Sequence, residues 1–509
     1  MKIISHTILF ALYPILFLFA ENTDEVVVGD IIVPAMLSLG LTALVYGISW
    51  LLYRDSGKAS IFTSFFLLLF FSYGHIFEPE NGLYWIRHRY LLTIWVVLFG
   101  AGMYGLWQTT RNTKSFSAIL NIIAVVLVAG SLFQIGSYMF RVQNISTNGV
   151  YAHLDTAEHT NAIITAKENT GIRPDIYYII LDAYASADIL KEVGYDNTAF
   201  LAFLEDREFY VVPHSFSNYS ATHLSLASSL NMDHIATLST EPGFVTKETI
   251  DHRTLIEANR VRQFLQEQGY EFIQFNSHWH ATFKNRFADE NVSVGYMPEF
   301  LNILYQTTAV YPIGEKFDAF NPRNIQYRRI KSHLDYLPEI AKRDGPTFVF
   351  AHLIVPHPPY VFDRNGNFIQ DEQETEEELR MAYIEQVMFI NKQLARVVDE
   401  ILSESKTPPI IILQGDHGSR LEDKTAIKKE SELTDWFLKE RLGALNAYYL
   451  PNGGQKALYE GMTPVNTFRV LFNYYFGTSF ELRPDDSYLA PPWSDGYDII
   501  NVTEQIREK

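Results

Sequence analysis

The chain contains no cysteine in 509 residues. This excludes disulfides, thiolate metal sites and a cysteine nucleophile, and it is compatible with an oxidising exterior. Charge is scarce where the chain begins: up to Arg141 there are eight Lys/Arg and seven Asp/Glu, against 41 and 59 in the whole. The rest therefore carries 33 basic and 52 acidic side chains, an acidic excess of 19. A domain so acidic is a poor partner for nucleic acid, and an anionic substrate there has to be held by a local metal and a few cations. Internal repeats and long low-complexity segments are also missing.

What the first third does contain is apolar length. Five stretches, about Ile3–Ala20, Ile31–Tyr53, Ile61–Phe77, Leu91–Trp107 and Ala118–Phe140, each run about 17 to 23 residues with few or no charges. As helices they suffice to cross a hydrocarbon core of about 30 Å. Lys2, Arg54, Lys58, Arg111 and Lys114 fall on one set of loops, and Glu21, Asp24, Glu25 and Asp30 on the other. The positive-inside rule then puts the N-terminus in the cytoplasm, and an odd number of spans sends the chain after Phe140 outside; Arg87 and Arg89 run against this bias. Leu18-Phe19-Ala20 is a poor small-x-small cleavage site, so the first span is read as a retained anchor. The expectation is a multi-pass protein of the cell (inner or cytoplasmic) membrane with an extracytoplasmic catalytic domain.

Residues 1–141 are thus read as a transmembrane helical domain and 142–172, polar and without a period, as a linker. Residues 173–509 form an α/β domain, since strand and helix patterns alternate from Arg173 onward. Ile176–Leu181, Glu271–Phe275, Thr347–Val355, Pro409–Leu413 and Leu445–Leu450 predict strands. Leu255–Gln268, Ile325–Lys342, Glu376–Ser403 and Val465–Phe476 predict helices. The fold class is a doubly wound, mostly parallel sheet, whose chemistry belongs just beyond the strands' carboxyl ends.

Polar clusters lie at those ends. Asp182 follows the apolar run Ile176–Leu181, where its carboxylate can reach a metal or simply cap a helix. Asp416-His417-Gly418 ends another strand and offers an oxygen and a nitrogen ligand from one turn. Thr222, in Ser220-Ala221-Thr222-His223-Leu224-Ser225, precedes a helical pattern of apolar residues. Its hydroxyl is either an N-cap or a nucleophile beside unpaired backbone N–H groups, with Ser220 and Ser225 as chemical rivals. His357, between prolines after a strand, can face a leaving group or be a surface histidine. His352, inside the same apolar run, reads as a core histidine. Arg286, after a loop with His278, Trp279 and His280, is either a phosphate clamp or an ordinary surface arginine.

In this order, Ile180-Leu181-Asp182, Thr222-x-x-Ser225-Leu226, Pro356-His357-Pro358 and Gly415-Asp416-His417-Gly418 resemble the sulfatase-like, membrane-anchored branch of the alkaline phosphatase superfamily. The likeness is to lipoteichoic acid synthases and phosphoethanolamine transferases, which also join about five membrane spans to an outer catalytic domain. The resemblance implies one divalent metal ion, zinc or manganese, bound by Asp182, Thr222, Asp416 and His417. It gives His357 a substrate or leaving-group role and Arg286 a phosphate-binding one. Transferases of this branch often carry Glu where Asp182 stands. A sulfatase proper needs Cys or Ser at the nucleophile, with Pro two and Arg four positions on; here Thr222 is followed by Leu224 and Leu226, and Thr cannot give formylglycine. The implied activity is transfer of a phospho-head group from a membrane lipid donor to an envelope glycan or lipid acceptor through a phospho-Thr intermediate. The rivals are a phosphoesterase or sulfatase-like hydrolase on the same site and a non-enzymatic envelope protein on a degenerate scaffold.

Overall fold

The computed structural model describes residues 5–22, 28–77, 88–110, 113–148, 162, 166, 173–235, 252–277, 279–293, 299–314, 321–373, 375–421, 427, 429–491 and 499–507. In chain order its main helices are α1 (Ser5–Glu21), α2 (Ile32–Tyr53), α3 (Ser56–Phe77), α4 (His88–Gln108), α5 (Lys114–Asn148), α6 (Thr222–Asn231), α7 (Arg260–Glu267), α8 (Glu299–Gln306), α9 (Tyr311–Gly314), α10 (Pro322–Tyr336), α11 (Glu376–Glu404) and α12 (Thr467–Phe476). The main strands are β1 (Ile176–Leu181), β2 (Tyr210–Val211), β3 (Glu271–Phe275), β4 (Glu290–Val292), β5 (Thr347–Leu353), β6 (Ile410–Gly415) and β7 (Asn446–Tyr449). The chain divides into two compact units, Met1–Asn144 with Met297–Asn321, and Ile145–Tyr296 with Pro322–Lys509.

In the first unit every apolar stretch of the sequence forms a helix. Four of them, α2 to α5, are long and apolar enough to cross a membrane; α1 is apolar but shorter, at 17 residues. The chain is a membrane protein. α5 runs on to Asn148, into the stretch expected to be a linker, and most of the remainder of that stretch lies outside the described residues. Phe10, Phe19, Leu67 and Phe71 pack with Phe300 and Leu304 of α8, so part of the later sequence belongs to this unit.

The second unit is built on a seven-stranded sheet of order β2-β7-β6-β1-β5-β3-β4. β6, β1, β5, β3 and β4 are mutually parallel, and β7 runs antiparallel to β6 and β2. The strands read as unbroken apolar runs because both faces are covered. On one face Tyr177, Ile179 and Leu181 meet Leu334 of α10 and Val387, Ile390 and Leu394 of α11. On the other Ile176, Tyr178 and Ile180 meet Leu226 of α6, Phe264 of α7 and Phe468 of α12.

Local chemistry sets the helix ends. Thr375 and Glu378 form a capping box that starts α11, where the sequence pattern places the helix. The helix expected over Leu255–Gln268 breaks in two, because Asn259 turns its side chain to accept from the Arg262 amide and so caps α7. β2 and β4, of two and three residues, are too short to carry a period in sequence.

Candidate active site

Three adjacent central strands deliver the polar groups to one edge. In the register Leu181 pairs with Leu353 on one side and Gly415 on the other, so Asp182, the residues after β5 and Asp416 emerge together. The Asp182 amide donates to Leu353 O at 3.0 Å, and its carbonyl accepts from the His357 amide at 3.0 Å, which ties the two loops to each other. The next residue, Ala183, has φ +64°, a left-handed conformation that costs a non-glycine residue about 1–3 kcal/mol. That turn aims its N–H at Asp416 Oδ1, 3.0 Å away. Buried Tyr383 of α11 braces it by donating to Ala183 O at 2.9 Å and accepting from the Ala185 amide at 3.1 Å.

Asp182, Asp416 and His417 are all buried, with one potential ligand atom from each lying within 4.8 Å of the others. His417 Nδ1 lies 2.7 Å from Gly418 O and so donates to it, which leaves Nε2 bare. Burial, and then the charge of Arg420, push this imidazole well below its ordinary pKa and keep it neutral. Around Nε2 stand Thr222 Oγ1 at 3.2 Å, Asp416 Oδ2 at 3.5 Å and Asp182 Oδ1 at 3.7 Å. Gly418 is required by space: a Cβ there would sit 2.1 Å from Glu440 O.

Thr222 is the first residue of α6 and not its cap; Ala221 holds the cap position. Its hydroxyl is therefore not spent on the helix end. Of the rivals, Ser220 Oγ accepts from the Ala490 amide at 3.0 Å, and buried Ser225 does not line the cleft.

The donor set fits a divalent cation. Asp182 Oδ1 and Asp416 Oδ2 are buried and have no hydrogen-bond partner, an arrangement that two carboxylates do not tolerate without a positive charge. The 3.2–3.7 Å separations match the roughly 3.3–3.6 Å expected between ligands that lie about 2.0–2.2 Å from a tetrahedral centre. Electrostatics agrees. Burial and the charge of Asp182 push Asp416 up to about 6. Burial works against ionising Asp182 as well, but His357 and His352 more than offset it and hold that carboxyl below the usual carboxylate range.

His352 is buried, as a core histidine would be, yet it belongs to this cluster. Its Nδ1 lies 2.8 Å from Thr282 Oγ1, and its Nε2 lies 3.4 Å from Asp182 Oδ2. The register explains why: His352 pairs with Ile180, two residues before Asp182 and on the same face. Pairing cannot be read from one strand alone.

Beside the cluster opens a cleft of about 530 Å³, lined by Asp182, Thr222, His223, Trp279, Arg323, His357 and Arg420 among others. His357 Nδ1 is 2.6 Å from Pro358 O, so Nε2 is free to face the cleft. The Pro-His-Pro loop is clamped by buried Gln386 of α11, which donates to Pro356 O at 3.1 Å and accepts from the Val361 amide at 2.9 Å. Arg286 is not brought to the cleft: its guanidinium pairs with Glu257 at 2.8 Å, and the same carboxylate takes its amide. Among the described residues, Arg323 and Arg420 are the arginines lining the cleft. Arg323 is held on Tyr360 O at 2.6 Å. Arg420 is exposed, and its charge also lowers the pKa of His223, after the larger effect of burial. Nothing in the sequence singles out Arg420 beyond its place four residues after Asp416.

Fold and site together define a membrane protein whose second unit is an α/β enzyme domain with a candidate metal site at the sheet's carboxyl edge. The chain belongs to the sulfatase family, whose family model matches residues 174–470, and it is an enzyme of the sulfatase-like alkaline phosphatase superfamily. No curated protein sequence matches it. Among solved structures it is similar to the C-terminal periplasmic domain of EptC from Escherichia coli, at 12% identity and a TM-score of 0.42, over 65% of this chain and 93% of that one. It is also similar to the integral membrane lipooligosaccharide phosphoethanolamine transferase A from Neisseria meningitidis, at 13% identity and a TM-score of 0.40, over 92% of this chain and 95% of that one.

Proposed function

We propose that the second unit is a metal-dependent phosphotransferase. It moves a phospho-head group, of phosphoethanolamine or phosphoglycerol type, from a membrane lipid onto Thr222 and then to an envelope glycan or lipid acceptor. The observation that carries this reading is the Thr222 hydroxyl, uncommitted to capping and 3.2 Å from the bare Nε2 of His417, beside two buried carboxylates. A zinc or manganese ion held by Asp182, Thr222, Asp416 and His417 would lower the hydroxyl's pKa and neutralise charge on the transferred group.

The side chains do the rest. Thr222 Oγ1, as the alkoxide, attacks phosphorus, and the bond from phosphorus to the lipid's glycerol oxygen breaks. His357, as imidazolium, passes a proton from Nε2 to that leaving oxygen. In the second half an acceptor hydroxyl returns a proton to His357, attacks phosphorus and releases Thr222. The backbone amides that open α6 face the phosphoryl oxygens, and Arg420, rather than Arg286, supplies the nearby cation. His352 holds the second oxygen of Asp182. Attachment to the bilayer favours a lipid donor, and the Lys/Arg bias of the loops supports an extracytoplasmic side for this chemistry.

The test is mass spectrometry of the Thr222 peptide after purified protein is incubated with mixed membrane lipids. A mass added to Thr222 identifies the transferred group. Head-group transfer that proceeds with no adduct on Thr222 at any time in the turnover would overturn the assignment. Head-group release without acceptor at the full rate would make the protein a hydrolase instead.

A further inference from the structure

The later sequence returns to the membrane unit through Met297–Asn321, and it does so by backbone bonding to a membrane helix. In α3 the Gly74 amide donates to Thr307 O at 2.9 Å, and Phe70 O accepts from the Ala309 amide at 2.8 Å. Gly74 N–H and Phe70 C=O are the i and i−4 groups of one helical turn, so the segment 307–309 is stitched into that turn. Glycine is obligatory there, because a Cβ on residue 74 would sit 2.2 Å from Gln306 O and 2.5 Å from Thr307 Cα.

The stitch lies near the end of α3, and the groups around it are those that favour a membrane–water boundary. Tyr73 bonds to His88 Nδ1 at 2.9 Å, His88 at the start of α4 meets Tyr311 edge-on at 6.1 Å, and Trp95 Nε1 donates to Leu69 O at 2.7 Å. Phe300 and Leu304 of α8 point inward, packed with residues of α1 and α3. Val310 and Ile313 point outward, 41% and 54% exposed, at the same end of the bundle as exposed Tyr90 and Ile94 of α4. A segment bonded to a span and carrying apolar side chains outward at this level has one fitting neighbour, the boundary between head groups and acyl chains.

We infer that residues 299–314 form a membrane-interface anchor. It is docked on α3 through Gly74, and Val310 and Ile313 enter the leaflet on that side. This goes beyond the proposed reaction and stands whatever chemistry the cleft performs. Because the native chain has no cysteine, single-cysteine variants report cleanly. Full-length Val310→Cys and Ile313→Cys, labelled with a small fluorophore, are reconstituted into phosphatidylethanolamine/phosphatidylglycerol vesicles with brominated acyl chains. Val126→Cys in α5 serves as the lipid-facing control and Met381→Cys in α11 as the aqueous one. Quenching by bromolipid at 310 and 313 should be several-fold stronger than at 381 and approach that at 126, while iodide in the buffer should quench in the opposite order. Iodide quenching at 310 and 313 equal to that at 381, without bromolipid quenching, would overturn the anchor. Adding Gly74→Leu should cut the bromolipid signal at 313 several-fold and leave that at 126 unchanged; an unchanged signal at 313 would overturn the docking through Gly74.

Discussion

The two units of this protein are turned inside out with respect to each other. In the membrane unit large apolar side chains such as Val96, Val97, Ile122 and Phe133 are exposed, and much of what is buried is hydroxyl: Ser38, Thr42, Ser60, Thr63 and Ser64. In the enzyme unit Tyr177, Ile179, Val349, Ile411 and Leu413 are fully buried. The same residue types obey opposite rules because the surrounding solvents differ. Lipid gives no reason to hide a leucine, whereas a hydroxyl there gains from turning inward to a polar partner. Ser38 finds Ala11 O in α1, and Thr42, Ser60 and Thr63 find the carbonyl four residues back in their own helices. In the enzyme unit two carboxylate oxygens at the candidate site, Asp182 Oδ1 and Asp416 Oδ2, are buried without a hydrogen-bond partner.

The largest effect belongs to that site. Thr222→Ala should abolish the covalent adduct and reduce turnover on the order of 10³–10⁶-fold, measured with a lipid donor in detergent. Retention of the adduct would move the nucleophile to Ser220 or Ser225. His357→Ala should cost about 10²–10⁴-fold on the lipid, and a nitrophenyl ester should recover much of it, since a good leaving group needs no proton. Equal losses on both substrates would make His357 a binding residue.

A charge placed on an exposed apolar residue sharpens the contrast between the two units. Val97→Lys in mid-α4 should cost about 2.5–3.5 kcal/mol and lower the fraction of chain recovered in membranes. Leu482→Lys, at an exposed position of the enzyme unit, should stay within about 0.5 kcal/mol. Comparable losses at both sites would show that the faces of α4 do not meet lipid.

Next in size is a trade between stability and metal. The Asp416 carboxyl, raised to about 6 by burial and by Asp182, disfavours the metal-free fold once it ionises. The sign comes from linkage: a carboxyl whose folded pKa lies above its unfolded one destabilises as pH rises from about 4 through about 6, and the cost is complete above that. Asp416→Asn keeps an oxygen for the Ala183 amide and removes the charge. Chelated protein carrying it should melt higher than chelated wild type at pH 8, by about 1–3 kcal/mol, with little difference at pH 4. The variant should also lose most bound metal. Equal melting at both pH values would mean that the two carboxylates do not repel each other.

How much of the molecule is legible in its sequence depends on what a one-dimensional pattern can hold. β1 and β3 have the limits their apolar runs suggest, and Asp182, Thr222, Asp416 and His417 all meet, because strand ends and helix starts are local events. His352 is hidden by its apolar surroundings; only the pairing of β5 with β1 turns it toward Asp182. Arg286 resembles a phosphate clamp by its neighbours in sequence, but Glu257, 29 positions earlier, takes it. Arg420 has no pattern around it at all. The return of 297–321 to the membrane unit rests on Gly74, and a glycine in an apolar helix does not announce what it makes room for.

The smallest effects test whether interior polar groups really follow two rules. Gln386, fully buried in the enzyme unit, serves the Val361 and Phe362 amides and the Pro356 carbonyl. Gln386→Ala leaves those groups without partners in a place water does not reach, at a cost of about 1–3 kcal/mol. Ser38 makes one interhelical bond to Ala11 O at 2.7 Å. Ser38→Ala should cost only about 0.6 kcal/mol, because a polar group in a helix already inserted but not yet packed finds another carbonyl in the same bilayer. Thermal unfolding of the full chain, followed by loss of protease resistance with the cleavage sites mapped to each unit, compares the two. A Ser38→Ala loss as large as that of Gln386→Ala would mean that the membrane unit's interior is set by the same water-referenced balance as the enzyme's, and the inside-out contrast would then be one of surface alone.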